Sequence, residues 1–80
     1  MIRYKLKELI AQKSFVEDRR VTLEEVSEAT GISRNTLSRI ANTRGYSTTT
    51  DAVDKLCEFF NCEISELMER VVLIDNNKSK

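Results

Sequence analysis

Arg34, Asn35, Ser38, Arg39 and Asn42 recur at spacings that set them on one side of a helix. At about 100° per residue they fill a contiguous arc of roughly 140°, with Leu37, Ile40 and Ala41 turned the other way. The arc holds two Arg, two Asn and a Ser, and no acid. Guanidinium groups make paired hydrogen bonds to guanine edges, carboxamides do so to adenine edges, and all three types reach phosphate oxygens. Without a partner such an arc is a solvated helix face. With one, it is a side-chain-studded rod of the width that enters the major groove of double-stranded DNA. Beyond Asn42, residues 43–50 form a loop with Arg44, Gly45 and Tyr46, whose hydroxyls and amides either hold phosphates or make a plain turn.

Charge supports the first alternative. Lysines and arginines equal acids at 13 each, so the chain is no general polycation. Residues 29–50 nevertheless contain no Asp or Glu, while Arg34, Arg39 and Arg44 lie among them. In residues 51–80 acids outnumber bases seven to four. One end of the domain is therefore expected to be positive and another negative, as in a protein that meets a polyanion from one side.

The elements that must position this arc are helical. Pro is absent, Gly occurs twice and charged residues make up 32% of the chain, a mixture that favours a small all-α domain. Ile2, Leu6, Leu9 and Ile10 predict a first helix over about residues 3–13, followed by a polar connection over 14–21. Thr22 and Glu25 form a capping-box pattern at the head of a second helix, with Val26 and Ala29 facing inward. Gly31 ends it, Ile32 plugs the turn, and Ser33 caps the third helix. One of the threonines before Asp51 caps a fourth helix, whose stripe is Val53, Leu56, Cys57 and Phe60. Ile64, Leu67, Met68 and Val71 repeat the spacing in a fifth. Asp54, Glu58, Glu66 and Glu69 are expected on a solvated rear face. Cys57 and Cys62 read as small core fillers.

The run Thr22, Glu25, Val26, Ala29, Gly31, Ile32, Ser33, Arg34, Thr36, Leu37, Ser38 and Ile40 resembles the lambda-repressor/Cro-like, or Xre-type, helix-turn-helix family. Leu56, Cys57, Phe60, Cys62 and Leu67 resemble that family's fourth and fifth helices, so the likeness covers about residues 3–70. It implies a compact five-helix domain with its helix-turn-helix at about 22–42, which puts its third helix into the major groove, usually as a dimer on a partly palindromic operator. Carried over, Arg34, Asn35, Ser38 and Arg39 face bases, Thr36 sits near the groove edge, and Asn42 and Arg44 contact phosphate. Where the family commonly has a Gln touching the DNA backbone, this chain has Leu23. Arg19 and Arg20, in a longer loop, either replace it or are solvated.

A single domain is expected over residues 1–74, ending in a short strand or helix extension, with a polar tail over 75–80. Val71, Val72, Leu73 and Ile74 are four apolar residues that a domain this small cannot wholly cover, which points to a homodimer. The leading function is a transcriptional regulator, a repressor by kind. The alternative is a protein-interaction module, an antitoxin or adaptor with a protein partner. An enzyme is not expected: there is no His, no clustered carboxylates and no Gly-rich phosphate loop. Nor is a cofactor, and two Cys alone cannot complete a tetrahedral metal site. With no long apolar run, neither a signal peptide nor a membrane span is expected, and the two thiols suit the reducing cytoplasm.

Overall fold

Short polar side chains at the heads of three amphipathic runs mark where those helices begin. The computed structural model describes residues 1–72. It orders them as strand β1 (Ile2–Tyr4), helices α1 (Leu6–Glu17), α2 (Leu23–Thr30), α3 (Arg34–Asn42), α4 (Thr50–Phe60) and α5 (Ile64–Leu67), then strand β2 (Met68–Arg70). Thr22 accepts from the Glu25 N–H, Ser33 from that of Thr36 and Thr49 from that of Ala52, each at 3.1 Å. Each bond satisfies a donor that the first helical turn would otherwise leave without a partner. Gly31 closes α2 at a φ of 78°, in the left-handed region where a Cβ is unfavourable. Asp18 and Asn61 close α1 and α4 in the same region, which short polar side chains tolerate.

Two expectations drawn from helical spacing are overturned at the ends of the fold. The first helix does not span residues 3–13 but begins at Leu6 and runs to Glu17, so the connection expected from Ser14 starts later. A Lys13–Glu17 ion pair at 2.7 Å, one turn apart, supports the added turn. The fifth helix stops at Leu67, and Met68 turns into β2. Ile2 and Met68 belong to an antiparallel pair, with Ile2 opposite Arg70, Arg3 opposite Glu69 and Tyr4 opposite Met68. Its backbone pairing continues outward through Val71 N–H to Met1 O at 2.8 Å and inward through Lys5 N–H to Leu67 O at 2.6 Å. Arg3 and Glu69 add a cross-strand ion pair at 2.7 Å. Of the short strand or helix extension expected near the C-terminal end, a strand forms, earlier than expected at Met68–Arg70, and its mate is residues 2–4 of the same chain. Leu73, Ile74 and the tail over 75–80 lie outside the described residues.

Between these ends the helices enclose one core. Leu6, Val26, Leu37, Leu56 and Leu67 are wholly buried, with Val21, Ile40 and Val53 beside them. Cys57 and Phe60 pack against this cluster, as their spacing predicts, and Cys62 joins them as a small filler. Burial and the neighbouring Cys57 push the Cys62 thiol up to about 11, so it packs as a neutral filler. Two residues depart from the expected stripe. Ala29 is exposed, and Thr30 takes the inward position. Ile64 stands 59% exposed, because α5 is too short to turn it onto the core. Asp54, Glu58, Glu66 and Glu69 are exposed, although Glu66 accepts the Glu63 N–H at 2.9 Å and Glu69 holds Arg3. Among the described residues no helix is long and apolar enough to cross a membrane.

Candidate nucleic-acid interface

The turn between α2 and α3 is built on one hydroxyl. Thr30, the single buried polar side chain among the described residues, donates to the Val26 carbonyl at 2.7 Å. Its oxygen also accepts the Ile32 N–H at 3.2 Å, just past Gly31. Gly31 N–H returns to the Ser27 carbonyl at 2.8 Å. Ile32 is half-buried against the core and Ser33 starts the next helix. The chain therefore reverses inside about three residues with each of these backbone donors paired. Gly31, Ile32 and Ser33 each have a sequence signal; Thr30 was missed because a methyl-sized alanine beside it fits an inward stripe equally well.

Leu37 and Ile40, 0% and 2% exposed, fix α3 by its inner side. Arg34, Asn35, Arg39 and Asn42 stand exposed on the outer side, with Ser38 half-buried among them. The arc inferred from residue spacing is thus one continuous surface. Thr36 is half-buried, and its hydroxyl accepts from that of Ser33 at 3.0 Å, so it belongs to the head of the helix. Asn42 is tied to the helix end: its amide donates to the Ser38 carbonyl at 3.0 Å. Arg44 follows in an exposed loop at Gly45, whose φ is 71°. A Cβ at Gly45 would lie 3.6 Å from the Met1 side chain, so this loop rests on the segment leading into β1.

The two arginines before α2 part company. Arg19 grips the Glu25 carboxylate with both amino groups, at 2.7 and 2.6 Å, and bonds Glu17 through Nε at 2.9 Å. The hydrogen bond to Glu25 and then that to Glu17 raise its pKa. Arg19 in turn holds the Glu25 carboxyl below the usual carboxylate range, while Lys13 is the larger influence lowering that of Glu17. The capping box expected at Thr22 is therefore half made, since Glu25 turns to Arg19 instead of to the backbone of Thr22. Arg20 is exposed and makes no ion pair among the described residues.

Across the described residues, Arg3, Lys5, Lys13, Arg19 and Lys55 all have carboxylate partners. Arg34, Arg39 and Arg44 have none. An unpaired guanidinium gives up only its hydration when a phosphate or a base edge replaces water, whereas Arg19 must also give up two carboxylates. No group of three or more potential metal ligands occurs among the described residues.

A protein-family model described as the Cro/C1-type helix-turn-helix DNA-binding domain matches residues 5–72. No curated protein and no solved structure matches the chain.

Proposed function

The chain belongs to the Cro/C1-type helix-turn-helix DNA-binding family, and from that premise we propose that it is a sequence-specific transcriptional repressor that enters the major groove of double-stranded DNA with α3. One observation carries the reading. The exposed face of α3 presents Arg34, Asn35, Arg39 and Asn42 from a segment without a single acid, on a helix anchored by Leu37 and Ile40. Base recognition then falls to Arg34, Asn35, Ser38 and Arg39. Thr36 lies at the groove edge, and Asn42 and Arg44 meet the backbone where α3 leaves it. Arg20 remains available to phosphate, while Arg19 acts through its grip on Glu25. Selection of bound sites from a random duplex pool, followed by titration in salt, tests the proposal. Recovery of one defined motif is expected; binding that never exceeds that of random duplex overturns it.

The same reading includes a homodimer whose two copies of α3 lie about one DNA turn, roughly 34 Å, apart. Val72, 63% exposed beyond the strand pair, supports it as part of an apolar surface left for a second copy. Val72→Asp should leave a folded monomer with much weaker binding to a palindromic site. Sedimentation of the unmodified protein as a monomer at tens of micromolar, on the order where weak dimers form, would sink the idea.

A further inference from the structure

One further cation, Lys7, shares a cleft with the exit of α3. Between the start of α1, the segment around β1 and the exit of α3 runs a cleft of about 400 Å³, lined among others by Arg3, Lys7, Glu8, Asn42, Thr43 and Arg44. Its charges are unequal. Glu8 is held by Arg3 at 2.5 Å, and the other amino group of Arg3 goes to Glu69 at 2.7 Å. That leaves Lys7 of α1 and Arg44 of the loop after α3, both exposed and with no carboxylate partner among the described residues. Their sequence separation hides the pairing; Lys7 carries no signal of its own in a charged helix.

Two uncompensated cations facing one open cleft suit an anion that is extended rather than enclosed. Asn42 and Thr43 make the cleft continuous with the end of α3, so the nearest such anion is the backbone of the duplex that α3 enters. We infer that Lys7 is a phosphate contact, so that the DNA interface passes from Arg44 across the cleft onto α1. This rests on the groove-binding reading above and extends it to a residue outside the helix-turn-helix. Lysine acts here as a point charge and needs no fixed angle of approach, which fits a position that secures the backbone without reading bases. The competing role is local: a cation near the last carbonyls of α3 stabilises the helix end through its dipole.

Binding of a labelled random-sequence duplex, measured by anisotropy between 50 and 200 mM salt, separates these roles. Relative to the unmodified protein, Lys7→Gln should reduce the slope of log affinity against log salt by about 0.9, one phosphate equivalent, and Lys7→Gln with Arg44→Gln by about twice that. Lys7→Arg should keep the original slope. At 0.1 M salt the single change should weaken binding roughly five- to tenfold, with thermal unfolding unchanged. An unaltered slope in Lys7→Gln overturns the inference, and a lower melting temperature with that unaltered slope assigns Lys7 to the helix end. If the folded, unmodified protein binds no duplex at all, the groove-binding reading itself falls.

Discussion

Replacing Thr30 with Val tests whether one hydroxyl holds the helix-turn-helix in shape. The side chain is 7% exposed, and Val nearly matches its volume, so the change opens no cavity. What disappears is the acceptor for the Ile32 N–H at 3.2 Å and the donor to the Val26 carbonyl at 2.7 Å. A buried donor left without a partner costs about 1–3 kcal/mol. Ile32 is only half-buried, so water offsets part of this and the lower half of that range applies. For a domain of this size each kcal/mol moves the melting temperature by about 4–8 °C, giving a fall of roughly 4–16 °C. Thermal unfolding followed by circular dichroism reads the shift. Thr30→Ala, measured alongside, lacks the hydroxyl too and adds the loss of the methyl group, so the difference between the two variants isolates the packing and leaves Thr30→Val to report the hydroxyl. Amide exchange at Ile32 should also quicken in Thr30→Val relative to amides in α4. A Thr30→Val protein that melts at or above the original, with unchanged exchange at Ile32, would refute the reasoning.

Three further outcomes are expected. Arg39→Ala should weaken binding to the selected site by about 1–3 kcal/mol and to random duplex far less; equal losses would remove Arg39 from the base readers. Gly31→Ala meets no atom within 4 Å of the new Cβ, so its cost is the left-handed backbone alone, about 1–2 kcal/mol by thermal unfolding; a neutral result would show that the turn can relax. The Glu17 and Glu25 carboxyls are held below their ordinary value of 4.5 in the folded chain, so the stability they add is complete above that value and is lost as pH falls through the folded values. Acid unfolding should begin at higher pH in Arg19→Ala, and coincident acid-unfolding curves would show that the grip on Glu25 adds nothing.

What the sequence reveals is what is decided within one turn of the chain. Thr22, Ser33 and Gly31 announce α2 and α3 because capping and the left-handed turn depend on neighbours three or four residues away. The outer face of α3 is equally plain, since helical geometry alone separates Arg34 and Asn35 from Leu37 and Ile40. The strands escape that logic. Ile2 and Met68 fit helical spacing as well as they fit a strand, and the deciding partners lie at the other end of the chain, 66 residues apart for Arg3–Glu69. Arg19 shows a milder form of the same limit. Its type suggests a phosphate contact, while Glu17 and Glu25, each a short step away in sequence, claim it in space. Ala29 and Thr30 differ by one position on the helix, and hydropathy alone favours the wrong one.

The pairing of β1 with β2 gives the domain an unequal resistance to opening. A two-stranded sheet of three residues per strand is marginal by itself, and closing it spans nearly the whole described chain, an entropy cost that grows with the logarithm of the enclosed length. The helix-turn-helix, by contrast, is made of contacts between neighbouring segments. The strand pair is therefore expected to form last and fray first, which amide exchange in residues 2–4 against that in α3 would read. Since Met1 sits beneath Gly45, that fraying withdraws the floor of the loop bearing Arg44 without unwinding α3. On the proposed reading, the contact of Arg44 with the DNA backbone is accordingly tied to the opening of the adjacent strand pair.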